Sequence, residues 1–125
     1  MTQEDKELLL KDLCLRLPYG VKVRCDFGLD GEITEISRTK NNLYCCKYLD
    51  CKEGYCYIES LKPYLFPLSS MTEEQEEEYN DLNSYELGCF PHTEEALDYL
   101  IKNYFDYRGL IEKGLAIDAT GLNIY

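Results

Sequence analysis

The chain has 125 residues, 45% of them apolar and 13% aromatic, twelve tyrosines, and a formal net charge of −11. That length fits one domain able to hide roughly two thirds of its unfolded surface, and the composition is that of a globular rather than a disordered protein. No apolar run approaches the ~20 residues of a membrane span, and the acid excess disfavours direct nucleic-acid binding.

Thr2 and Asp5 give a helix start signal, and Leu8, Leu9, Leu13, Leu15 and Leu17 follow at mixed three-to-four spacing, so residues 3–16 read as an amphipathic helix. Pro18 and Gly20 stop it. From Gly20 to Phe66 the period changes to two. Val21, Val23 and Cys25 alternate with Lys22, Arg24 and Asp26; Ile33 and Ile36 follow the turn Gly28-Leu29-Asp30-Gly31. Leu43 to Tyr48 and Tyr55 to Ile58 are further strand signals. Ser60 to Leu65, with Pro63 inside, is expected to be the closing turn of this β core. Thr72 with Gln75 forms a capping box for an acidic helix running to Tyr79, and Thr93 caps a second helix carrying Ala96, Leu97, Leu100 and Ile101 on one face. The segment between them, Asn80 to His92, is expected to break the helix, and residues 105–113 to make a last short helix closed by Gly114.

The expected fold is therefore α+β, a small SH3-like β-barrel or curled antiparallel sheet flanked by an N-terminal helix and C-terminal helices. As a single domain, 1–125, it divides into helix 3–16, β core 20–66, acidic helical part 72–113 and tail 114–125.

Charge is the strongest signal. Between Lys62 and Lys102 there is no lysine or arginine, while Glu73, Glu74, Glu76, Glu77, Glu78, Asp81, Glu86, Glu94, Glu95 and Asp98 supply ten negative charges; the other 14 acids face 13 bases. One reading is a solvated face that keeps the chain soluble, with acids favoured near helix N-termini. The other is a docking surface for a basic protein, because Glu73 with Glu77 and Glu74 with Glu78 are like-charge pairs that a cationic partner would relieve. A sharper version is mimicry of DNA. Ten carboxylates along a helix at ~1.5 Å rise lie about 4 Å apart, near the ~3.4 Å charge spacing of a single strand. The basic residues Lys22, Arg24, Arg38, Lys40, Lys47 and Lys52 would allow direct nucleic-acid binding only as a separate patch on the sheet.

Tyr44, Tyr48, Tyr55 and Tyr57 are candidates for an exposed aromatic binding face, or else fill the seam between sheet and helices. Seven cysteines, an odd number, follow a polar N-terminus, which leads to the expectation of a cytoplasmic chain with reduced thiols. Cys45, Cys46, Cys51 and Cys56 are weak zinc candidates, since Cys45 and Cys46 are adjacent and would point to opposite faces of a strand. The one histidine, His92, sits in a turn between Pro91 and a helix cap, and a Cys89–His92 pair lacks an orienting group. No G-x-S-x-G, glycine-rich phosphate loop, Rossmann fingerprint or H-E-x-x-H occurs, and Asp26-Phe27-Gly28 stands without the other kinase motifs. No catalytic residue, cofactor or metal is expected from these residues.

The stretches Tyr104 to Ala116 and Leu61 to Thr72 resemble the closing and central segments of small uncharacterised proteins of gut-bacterial genomes and their phages. That resemblance implies a phage or mobile-element context and carries no functional residue. The expected function is a non-enzymatic protein-binding module, with an acidic DNA mimic and a small cysteine-dependent metal protein or enzyme as the alternatives.

Overall fold

The computed structural model describes residues 2–25, 30–39, 42–44, 47–48, 57–83 and 93–125. Helix α1 spans Gln3–Arg16, the expected range, and the N–H of Asp5 donates to Thr2 Oγ1 at 3.1 Å. Pro18 lies in a 3-10 turn, Leu17–Tyr19, closed by Gly20 at φ +75°. The left-handed backbone there favours glycine, whereas the Glu32 carboxylate that a Cβ would meet is the end of a flexible side chain that can move aside.

Among the described residues eight strands follow the helix in chain order: β1 (Lys22–Cys25), β2 (Asp30–Glu32), β3 (Ser37–Thr39), β4 (Asn42–Tyr44), β5 (Lys47–Tyr48), β6 (Leu61–Pro67), β7 (Phe105–Asp106) and β8 (Ile117–Asp118). The main sheet runs β5–β2–β1–β6–β7, with β8 also paired to β6, and β3 with β4 makes a separate two-stranded sheet. The first pairings are antiparallel; β7 and β8 join β6 in parallel. The fold is thus α+β as expected, but the sheet is mixed and does not close into a barrel.

Ser60 to Leu65 is not a turn. Ser60 ends a 3-10 turn, and Leu61 onward forms the longest strand. Pro63 is compatible with this position because of the direction of the backbone. The hydroxyl of Tyr125 bridges Lys22 N–H (2.8 Å) and the Tyr64 carbonyl (2.9 Å), so even residues of β6 turn their polar groups toward β1 and odd ones toward the opposite edge. The lost proline N–H belongs to that other edge. The same alternation separates the late strands, since Phe66 N–H reaches the Tyr104 carbonyl while the Leu65 carbonyl accepts from Ala119 N–H. β7 therefore continues the edge that β1 leaves, and β8 takes the other.

Residues 105–113 are likewise not a helix. Asp106, 7% exposed, closes a turn instead, its two carboxylate oxygens accepting the N–H groups of Leu110 and Ile111, both at 2.9 Å. The expected tail supplies β8. Asp30 and Gly31, read as a turn, belong to β2.

Alternation on β1 and β6 places Val21, Val23, Cys25, Leu61 and Leu65 on a face that buries Leu9 and Leu13 of α1 together with Ile33, Ile58, Leu110 and Leu115. A second cluster, Tyr79, Ala96, Tyr99, Leu100 and Phe105, lies between helix α2 (Glu73–Asn83), helix α3 (Glu94–Lys102) and the end of β6. A buried ion pair links the two clusters. Arg16 Nε donates to Asp12 Oδ2 at 2.7 Å, and its other nitrogens donate to the carbonyls of Ile101 (3.3 Å) and Phe105 (2.6 Å). Both side chains are almost fully enclosed, so their cost of desolvation is met by four donor contacts and by the C-terminal dipole of α3.

Candidate functional site

The acidic residues lie on a helical hairpin whose ends are set by side-chain caps. Thr72 and Gln75 exchange hydrogen bonds at 3.0 and 3.2 Å at the start of α2, and Ala96 N–H donates to Thr93 Oγ1 at the start of α3. The Thr93 hydroxyl donates in turn to the Leu82 carbonyl, which joins the end of α2 to the beginning of α3. The helix continues through Asn80 to Asn83, beyond the expected break. Asn80 and Asp81 add exposed polar groups to it at no packing cost.

Tyr79, Ala96, Tyr99 and Leu100 form the dry side of this hairpin. Glu73, Glu74, Glu77, Glu78 and Asp81 on α2, and Glu94, Glu95 and Asp98 on α3, are all exposed. Tyr99 marks the seam between the helices. Its hydroxyl donates to Glu78 Oε2 at 2.9 Å, and burial, then that hydrogen bond and the charges of Glu78 and Glu74, push its pKa from 10.0 up to about 12. Glu74 and Glu78 thus lie against α3, where Glu95 stands one turn before Tyr99, so carboxylates of both helices share the seam. Among the described residues no lysine or arginine forms an ion pair with any of these eight. Glu86 lies outside the described residues.

Tyr44 is in β4 and Tyr48 in β5, which belong to different sheets, and Tyr55 lies outside the described residues. Tyr57 is 47% exposed. The zinc candidates Cys45, Cys46, Cys51 and Cys56, and the pair Cys89 and His92, also lie outside the described residues. Among the described residues no group of three or more His, Cys, Asp or Glu is placed to hold a metal ion, and no helix is long and apolar enough to cross a membrane. Lys22 and Arg24 share a face of β1 but stand opposite Glu32 and Asp30, and Arg24 Nε lies 3.4 Å from Asp30 Oδ1. Arg38 and Lys47 are in different sheets; Lys40 and Lys52 are outside the described residues.

Sequence reasoning missed a different aromatic group, Phe66, Tyr104, Phe105 and Tyr125. The rings of Tyr104 and Tyr125 stack at 3.7 Å between centroids and 11° between planes, and Phe66 is tilted against both Tyr125 and Phe105. Lys22 lies over the Tyr125 ring and donates from Nζ to the Ile124 carbonyl. Burial is the main cause of a pKa for Tyr125 far above the ordinary tyrosine value. With Ser70, Gln75, Lys102, Asn103, Thr120 and Gly121, these four aromatics line an open groove of about 420 Å³ at the α2-start, α3-end corner of the hairpin. Comparison with protein-family models, curated proteins and solved structures finds no match for the chain.

Proposed function

We propose that the chain is a non-enzymatic binding module whose acidic helical hairpin engages a protein with a basic surface. The observation that carries this reading is the lack of cationic partners for the carboxylates among the described residues. Eight exposed acids on α2 and α3 have no cationic side chain in an ion pair among the described residues, and Glu73/Glu77 and Glu74/Glu78 each oppose helix formation by ~0.2–0.5 kcal/mol. A cationic surface offsets that repulsion and gains on-rate from the concentrated field. The module would act in the reducing cytoplasm, in the phage or mobile-element context that the sequence resemblance suggests.

The test is affinity capture from bacterial lysate with the unaltered chain and with a Glu73→Gln, Glu74→Gln, Glu77→Gln, Glu78→Gln variant. Loss of captured proteins from the variant supports the proposal; an identical set sinks it. Adding duplex DNA to the capture separates two kinds of partner. Displacement of the captured protein by DNA marks the mimicry mode, and retention marks an ordinary basic docking surface.

A further inference from the structure

Three observations converge on the groove at the corner of the hairpin. First, its apolar walls are aromatic and partly open, with Phe66 and Tyr104 half-buried and Tyr125 39% exposed. Its volume, about 420 Å³, falls within the range of ligand sites, ≈ 300–1,000 Å³. Second, Tyr104 holds φ +64°, the left-handed conformation usually left to glycine after a helix, here following α3 with its N–H on the Ile101 carbonyl. Such a conformation is disfavoured in a non-glycine residue, because its Cβ crowds the following carbonyl oxygen. It is held by the stacked Tyr125 ring and by the Tyr104 hydroxyl, which donates to the Tyr19 carbonyl at 2.8 Å. Strain of this kind, kept in place by surrounding contacts, gathers at binding sites.

Third, the polar lining keeps both donors and acceptors to spare. Gln75 Oε1 is occupied by Thr72 N–H, which leaves its NH₂ for another acceptor, and Lys102 makes no ion pair among the described residues. Asn103 spends an amide hydrogen on the Tyr99 carbonyl and Ser70 its hydroxyl hydrogen on the Pro67 carbonyl, leaving oxygen lone pairs on both. A peptide backbone presents both kinds of group. Polyproline, which lacks N–H, would use only half of this lining.

Charge then selects the peptide. Gln75 stands between Glu74 and Glu76 on α2, so the acidic helix borders the groove, while Lys102 is the charged residue of the lining itself. We infer that the groove takes an extended segment of a partner protein, with one aromatic side chain seated against Phe66, Tyr104 and Tyr125 and flanking lysines or arginines lying along α2. This deepens the proposed function and rests on it.

Fluorescence anisotropy tests it on the unaltered chain with a labelled peptide that has a central phenylalanine, two lysines on each side and glycines elsewhere. Controls replace the phenylalanine by alanine or the lysines by glutamine. Burial of a phenylalanine ring predicts binding about tenfold or more tighter than the alanine peptide, with backbone NMR shifts at Lys102, Asn103, Thr120 and Gly121. Equal affinities, with shifts confined to α2 and α3, would overturn the groove while leaving the acidic surface as a docking site. Undiminished binding of the glutamine peptide, with the phenylalanine preference retained, would support the groove and remove the role of charge. No binding of either lysine peptide at low salt overturns the inference.

Discussion

The sheet core and the helical hairpin place their charges in opposite ways. Between α1 and the corner of α3 and β7, Asp12 and Arg16 are sealed from solvent and each is matched, so the charge acts inside the fold and fixes how three elements meet. On α2 and α3 the carboxylates are exposed and no cation pairs with them among the described residues; Glu78 touches the packed side through the hydrogen bond it accepts from Tyr99, while Tyr79, Ala96, Tyr99 and Leu100 pack by their apolar surfaces. An internal charge is therefore costly to change and specifies geometry. The external ones can be changed at small cost to the fold, which leaves them open to selection for binding.

The largest effect should come from breaking the internal pair. Asp12→Ala leaves the Arg16 guanidinium buried without its counter-charge and should lower unfolding free energy by about 3–5 kcal/mol in urea titrations. Next, Tyr125→Phe keeps the stacked ring but strands Lys22 N–H and the Tyr64 carbonyl, at a cost of about 1–3 kcal/mol, with faster exchange of the Lys22 amide as its local signature. Thr93→Ala removes the α3 cap and the tie to Leu82, and should cost about 1 kcal/mol by the same titration. The quadruple Glu→Gln change on α2 should leave stability within about 1 kcal/mol of the original, rising if anything, because two like-charge pairs disappear. A large loss would refute the division between internal and external charge.

Alkaline pH sharpens the same contrast at the seam. The folded chain holds the Tyr99 proton more tightly than the unfolded one, with a pKa of about 12 against 10.0. The stability from this group is therefore complete below pH 10 and declines as pH rises toward 12. Urea midpoints should fall across that window, and Tyr99→Phe should flatten the fall.

The helix starts were legible because caps are local chemistry: Thr2 at α1, Thr72 with Gln75 at α2, and Thr93 at α3 all act within three residues of themselves. The alternation of β1 was equally plain. What failed was long-range. Pro63 spoke against a strand, and only the direction of the β6 backbone toward β1 reveals why it is harmless. β7 and β8 are two residues each, too short for any period, and exist because β6 offers two edges. Asp12 and Arg16 stood at i,i+4 spacing, a visible pair, but their burial depends on Ile101 and Phe105. The groove aromatics come from positions 66, 104, 105 and 125, with no spacing to unite them, whereas the acidic ridge was contiguous and could be read directly.

Tyr125 closing the gap between Lys22 and Tyr64 has a consequence for the order of assembly. The contact joins positions separated by 103 residues, as Arg16 to Phe105 joins positions separated by 89. Loops of that length must close before β1 and β6 are fully satisfied, and long-range closure slows folding toward the millisecond-to-second regime. The hairpin, stitched by local caps, should acquire its helical structure first, leaving the sheet to await the returning C-terminal segment.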